Sequence, residues 1–391
     1  MDDVSAPKPP HAHDASAAPV DILFDVRHIR QSGIGTYIRT QLPYLEQVTA
    51  ERGLTLAVLA DRSSAPAVSA ATQVIFAEPP DARMYSGGEQ RVWDRALDVV
   101  RPRALWVPHY PFPMTLLKRR YRDVKFFATV HDTLHIEDRA LSNQSRARSA
   151  YANLMLRLTA RRAATVFTPS EATARAMTSF TPRADVLVTP IPVDEVWLEP
   201  ADRSLSPVSS PYLLYVGNIK RHKNLVVLLD AFAIAAEHVP HTLVIAGSGE
   251  TLRTLDDRVN HLVDALGDRV EVPGRLPFDQ LRALVAAADL LIMPSLYEGA
   301  GLPPLEAMAS HTAVLSSNIP VLQETCGTGA DFFDPHDAGA LAQLIMRLCD
   351  DESARSALRD RGWAHVTWRQ EAITPTASAE AICAALEGAT P

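Results

Sequence analysis

The chain has 391 residues, 47% hydrophobic and 21% charged, with a formal net charge of -8; this is the balance of a globular protein, and the length implies two domains of roughly 180 residues. No run approaches the roughly 18 uninterrupted apolar residues that span a bilayer, and the N-terminus lacks the basic start and apolar core of a signal peptide, so a cytoplasmic protein is expected. Three cysteines, Cys326, Cys349 and Cys383, stand far apart without a CxxC pair, which argues for reduced thiols and against a disulfide framework or a zinc site.

Residues 1–20, "MDDVSAPKPPHAHDASAAPV", carry no apolar period and read as a disordered tail, so His11 and His13 are not taken as a metal pair. From Asp21 to residue 200, short apolar runs alternate with longer amphipathic segments. "DILFDV", "LTLAVLA", "ALWVP", "KFFATV", "ATVFTPS" and "DVLVTPI" have the length and content of buried strands. Such alternation is the signature of a parallel α/β sheet. "LLKRRYRDVK" (116–125) concentrates Lys118, Arg119, Arg120, Arg122 and Lys125. Two readings of it stay open: a solvated face, or a patch for an anionic membrane or a lipid diphosphate.

The Pro- and Ser-rich stretch ending at Pro211 breaks the pattern and marks a linker over 201–211. The alternation then restarts over 212–370 with "YLLYVG", "HTLVIAG", "RVEVPG", "LLIMPS", "AVLSS" and "DFFDP". Residues 1–205 hold 25 Lys and Arg against 23 Asp and Glu, whereas 206–391 hold 13 against 23. This acidic second half excludes nucleic acid as a partner. Two doubly wound domains of this kind bind ligands at the carboxyl ends of their strands, in a cleft where the domains face each other.

Three glycine-bearing turns test that expectation. "SGIGTYI" (32–38) lacks the third glycine of a dinucleotide fingerprint, having Ile38 there, and "AGSGETL" fails likewise at Leu252. "YVGNIKRHKNL" (215–225) crowds Lys220, Arg221 and Lys223 before a helix start near Asn224, a combination suited to an anion. The third, "EGAGLPPLE" (298–306), places Glu298 before its glycines and Glu306 in the expected first turn of a helix. A carboxylate at Glu298 would repel phosphate, so it is better suited to accept hydrogen bonds from a diol. Glu306 in a first turn has the plainer reading of neutralising a helix end.

These residues resemble the retaining glycosyltransferases of family 4, in a branch similar to bacterial polysaccharide mannosyltransferases. The likeness rests on Glu298 and Glu306, with seven residues between them in "PSLYEGAGLPPLEAMA", and on "GIGTYIRTQL", "TVHD", "TPSEAT", "VGNIKRHKN" and "PGRLPFDQLRALVAAADLLIMPS" in the same order. It covers about residues 21–370 and implies the GT-B fold, two Rossmann-like parallel-sheet domains facing across a cleft. Residues 371–391 would form a helix returning to the N-terminal domain, which takes the acceptor while 212–370 takes the donor.

By position, the resemblance implies that Glu306 binds the nucleotide ribose, that Glu298 binds the transferred sugar, and that Lys223 meets the donor diphosphate. His131 would face the donor sugar. Gly33, Gly217, Gly299, Ala300, Gly301 and Leu302 would approach the donor through backbone, and Leu276 would flank the base. His109 and Tyr110 are candidates for the acceptor side. Asn218 stands where the family commonly has Arg, so Arg221 or His222 is the expected second cation. The implied reaction moves a sugar, GDP-mannose being the favoured donor, to a hydroxyl of a saccharide or lipid-linked acceptor, with retention. No DxD-type pair lies at a strand end, so no metal or other cofactor is expected. A GT-B epimerase, a phosphorylase or a noncatalytic sugar-nucleotide binder is the competing reading.

Overall fold

Every residue of Ile22–Asp25 and of Leu56–Ala60 is buried, the pattern of strands covered on both faces. The computed structural model describes residues 20–142, 145–182, 185–209, 211–247 and 257–388. The expectations for the tail with His11 and His13, and for Gly249 and Leu252 of "AGSGETL", lie outside the described residues.

Seven strands form the first sheet: β1 (Ile22–Asp25), β2 (Leu56–Ala60), β3 (Gln73–Phe76), β4 (Ala104–Val107), β5 (Lys125–Thr129), β6 (Ala163–Thr168) and β7 (Val186–Val188), in the order β3-β2-β1-β4-β5-β6-β7. The second sheet has six: β8 (Tyr212–Val216), β9 (Thr242–Ala246), β10 (Val270–Glu271), β11 (Leu290–Met293), β12 (Ala313–Ser317) and β13 (Asp331–Phe333), ordered β10-β9-β8-β11-β12-β13. β1 runs parallel to β2 and β4, and β8 parallel to β9 and β11. Twelve of these strands match the apolar runs. β3 does not, because its four residues are only half-buried and its sequence, QVIF, opens on a polar residue.

The second sheet shows why a parallel strand reads as a continuous apolar run. Tyr212, Leu214, Val244, Ala246, Leu291 and Met293 enter one core, while their neighbours Leu213, Tyr215, Leu243, Ile245, Leu290 and Ile292 enter another. Alternate side chains point to opposite faces, and both faces are covered.

By compactness the described chain divides into two units, residues up to Phe127 with those from Ala379 onward, and Ala128–Ser378. The helix Ala377–Glu387 is tied to the first unit by Arg52 on Glu387 at 2.9 Å, by Arg103 on the carbonyl of Leu386 at 2.7 Å, and by Lys125 on that of Ala385. The expected linker contains a short 3-10 turn, Arg203–Leu205, and anchors itself through buried Val208. No described helix is long and apolar enough to cross a membrane. All three cysteines are free. Burial pushes Cys326 and Cys349 up to about 12 and Cys383 up to about 11, so these thiols are unreactive near neutral pH.

Candidate active site

In the second sheet the strand order reverses between β8 and β11, and the carboxyl ends of such strands are where doubly wound folds bind ligands. Both charged turns emerge there. The segment after β8 makes a 3-10 turn, Arg221–Lys223, and Asn224 then takes a left-handed conformation (φ 56°) before the helix Leu225–Ala235. Asn224 fits because its side-chain amide donates to the carbonyls of Pro294 and Pro335, at 3.1 and 2.7 Å. This clamps the turn to the end of β11, and the amide of Leu296 adds a bond to the carbonyl of His222.

The clamp joins Lys223 to Glu298. The ammonium lies 2.7 and 2.9 Å from the two carboxylate oxygens, and the hydroxyl of Ser295 donates to Oε1 at 2.6 Å. Their side chains are 15% and 9% exposed. The two groups that the sequence assigns to diphosphate and sugar therefore form one nearly buried ion pair. His222 beside them is pushed down to about 4 by burial and by the charge of Lys223. It is neutral near pH 7, whereas Lys220 and Arg221 of the same turn are exposed. Asn218 keeps its side-chain carbonyl buried without a partner among the described residues.

The turn after β11 is strapped from several directions. A Cβ added at Gly299 would stand 2.2 Å from the carbonyl oxygen of His131. That glycine is required first by the approach of another backbone. The Gly299 carbonyl accepts from the Ser170 hydroxyl at 3.1 Å, and that of Ala300 from the Thr325 hydroxyl at 2.9 Å. Tyr297 accepts from the amide of Thr133 and donates to Glu137, at 3.0 and 3.1 Å; burial holds its phenol protonated far above neutral pH. Ser170, Thr325, Tyr297 and Thr133 were invisible as site supports in sequence, being ordinary polar residues whose partners lie far along the chain.

Gly301, at φ 66°, precedes the helix Leu302–Ala309. The helix begins at Leu302, so Glu306 is its fifth residue and lies in the second turn, half-buried. The expectation of a first-turn carboxylate is corrected, because the two prolines follow Leu302 at the helix start. The macrodipole reading of Glu306 weakens accordingly, since that effect fades within the first turn. Leu276 packs against the core beneath β8 and β11.

The first sheet reverses its order between β1 and β4, and a buried charged cluster sits at those strand ends. Asp25 pairs with Arg27 at 2.6 Å and accepts from the Trp93 indole at 2.8 Å. Arg27 and its hydrogen bonds hold Asp25 well below the usual carboxylate range against the cost of burial. Glu89 receives His109 at 2.8 Å, His28 at 3.4 Å and the amide of Tyr85 at 2.7 Å. Although burial opposes it, His109, His28 and Arg27 bring Glu89 down to about 2. His109 is thus 2% exposed and committed to Glu89, while Tyr110 is half-buried against the ring of Tyr85.

His28, Glu89 and His109 are the described residues that cluster as metal ligands do. Arg27, 3.6 Å from the shared Glu89 oxygen, opposes a cation there. Gly33 interrupts the start of the helix Ser32–Glu51 with non-helical angles (φ 10°, ψ -65°), and Gly35 follows it within that helix. A Cβ at Gly35 would meet the carbonyl oxygen of Ile29 at 2.4 Å, whereas one at Gly33 would meet nothing within 4 Å.

Two family models match in tandem: Glycosyltransferase Family 4 over residues 31–196, and Glycosyl transferases group 1 over residues 200–364. The chain belongs to the family 4 glycosyltransferases. An O-antigen chain mannosyltransferase B of Escherichia coli is 33% identical over 158 residues, 39% of this chain and 40% of the relative. A glycogen synthase of Mycobacterium tuberculosis is 32% identical over 185 residues, 45% of this chain and 43% of the relative. These matches therefore span less than half of either relative. The fold is shared with sucrose-phosphate synthase from Thermosynechococcus elongatus at a TM-score of 0.74 and 20% identity, covering 94% of this chain and 98% of that one. The family's GT-B architecture agrees with the two parallel sheets.

Proposed function

We propose that the chain transfers a sugar from a nucleotide diphosphate donor to a hydroxyl of a saccharide or lipid-linked saccharide, with retention and without a divalent metal. The observation that carries this reading is the Lys223–Glu298 pair at the β8/β11 reversal. Breaking a glycosyl–phosphate bond builds negative charge on the leaving diphosphate, so a fixed cation there lowers the barrier. The donor exchanges one ion pair for two interactions: its diphosphate takes Lys223, and its sugar hydroxyls take the place of the ammonium at Glu298. The Ser295 bond keeps the carboxylate oriented during that exchange.

Glu306 holds the ribose, and His131 hydrogen-bonds to the sugar from the segment whose carbonyl Gly299 touches. The acceptor attacks from the face the diphosphate leaves, and a leaving phosphate oxygen takes its proton. GDP-mannose is the first donor to test, on the strength of the O-antigen mannosyltransferase match. The glycogen synthase match keeps a glucosyl donor as the alternative.

Thermal shift against GDP, UDP, dTDP and their sugars tests donor binding, because a ligand at 100 times its Kd adds about 2.7 kcal/mol of stability. Transfer is then assayed with the stabilising donor and a panel of saccharide and lipid-linked acceptors. Release of nucleoside diphosphate with no transferred sugar under any condition would sink the transferase reading. Stabilisation by a sugar nucleotide without turnover would point to the noncatalytic binder.

A further inference from the structure

We propose that the Tyr297 hydroxyl is a positioning group for sugar transfer: it locks the turn bearing Glu298 to the segment bearing His131, and so fixes the spacing of the two residues assigned to the transferred sugar. What that spacing serves rests on the proposed function; the lock itself does not.

Both chain neighbours of Glu298 grip the same segment. Gly299, its successor, lies so close to the His131 carbonyl that a Cβ there would stand 2.2 Å from the oxygen and 3.5 Å from the Cβ of Asp132. Tyr297, its predecessor, accepts a hydrogen bond from the amide of Thr133 at 3.0 Å, across 164 residues of chain. The backbones that carry Glu298 and His131 are thus joined on either side of Glu298.

The segment is also closed on itself. Asp132 accepts from the amide of Leu134 at 3.2 Å, and the single helical turn Leu134–Glu137 returns the Glu137 amide to the carbonyl of Thr133 at 3.0 Å. This brings the Glu137 carboxylate back over Thr133, whose hydroxyl donates to it. Tyr297 donates to the same carboxylate oxygen at 3.1 Å and lies 3.0 Å from the Thr133 hydroxyl. Burial keeps the phenol protonated, so it can give its hydrogen to Glu137 and keep a lone pair for the Thr133 amide. Thr133 is 2% exposed, and a buried amide needs an acceptor within the protein. A ring required only to fill space would be served by phenylalanine, which cannot supply these three contacts to one oxygen.

Tyr297→Phe keeps the ring and removes the oxygen. It should lower kcat for transfer by about 10- to 100-fold, the order of loss for a displacement near 1 Å in a positioned group. The half-saturating concentration of nucleoside diphosphate in thermal shift should stay within about twofold of wild type, because the lost interaction is not one of nucleotide binding. Tyr212→Phe controls for simple loss of a buried tyrosine bond: its hydroxyl donates to the carbonyl of Leu284 at 2.7 Å, and that variant should lose Tm but keep kcat. Glu137→Ala, at an exposed position, perturbs the network without touching the packed ring and should lower kcat about three- to tenfold. Combined with Tyr297→Phe it should cost no more than Tyr297→Phe alone, since both act through one set of bonds.

Amide hydrogen exchange of the ligand-free chain reads the lock without any substrate. Segments 131–134 and 297–301 should both exchange faster in Tyr297→Phe and keep wild-type rates in Tyr212→Phe. Wild-type kcat in Tyr297→Phe, losses that multiply in the double variant, or unchanged exchange in both segments overturns the proposal. If Tyr297→Phe does not fold, Glu137→Ala carries the test: a kcat loss at unchanged nucleotide affinity supports the lock, and wild-type kcat with wild-type exchange overturns it. A wild-type chain that turns over no donor, while Tyr297→Phe still frees both segments, fails the reaction proposal alone.

Discussion

Gly299→Ala isolates the contact that seats the carboxylate turn. The added Cβ would lie 2.2 Å from the carbonyl oxygen of His131, where real Cβ contacts stay beyond 3.0 Å, so the two backbones must part by about 0.8 Å. Neither partner is a flexible side-chain end that can swing away. Overpacking of this size costs about 1 to 3 kcal/mol, which lowers Tm by several degrees. The larger effect should be on transfer, because Glu298 is the adjacent residue and a displacement near 1 Å in a positioned group can cost about 100-fold in rate. Gly87→Ala, with nothing within 4 Å of its Cβ at a helix start, is the control and should be neutral or slightly stabilising. Differential scanning calorimetry and initial-rate transfer assays read the two effects. Wild-type Tm and wild-type rate in Gly299→Ala would refute the close approach and the positioning argument built on it.

Glu298→Gln should cut transfer by at least about 100-fold and lower Tm, since it leaves the nearly buried Lys223 ammonium without its anion; adding Lys223→Met should restore part of that Tm. His109→Ala removes a partner from a fully buried carboxylate, and chemical denaturation should show a loss of roughly 3 kcal/mol. His222 has a folded pKa of about 4 against 6.5 when unfolded, so the unfolded chain binds the extra proton. Its contribution is full above pH 6.5 and declines as pH falls toward 4, and His222→Asn should flatten the Tm profile across that window. Chelator should leave transfer unchanged; a large loss restored by adding a divalent ion would contradict the metal-free mechanism.

Twelve of thirteen strands were legible as apolar runs, and those ending at Val216 and Met293 show the main reason, that a strand covered on both faces must be apolar throughout. β3 was not legible, being a run that opens on Gln73 and is half-buried throughout, although the half-buried edge strands β7 and β10 were read from their short apolar runs. The position of Glu306 went astray by less than one turn, because a helix end is decided by which residue first takes helical angles, and Leu302 does so before the prolines.

The sequence by itself determined the two parallel sheets, the charged turn near Lys223, and the spacing of Glu298 and Glu306, all of which are local patterns. Tertiary structure alone decided that Lys223 meets Glu298 across 75 residues. It also decided that Gly299 yields to the backbone of His131, and that His109 is committed to Glu89. The first and last of these depend on which strand ends become neighbours at the β8/β11 and β1/β4 reversals, and the second on the approach of the turn after β11 to the segment after β5, none of which a local window of residues contains.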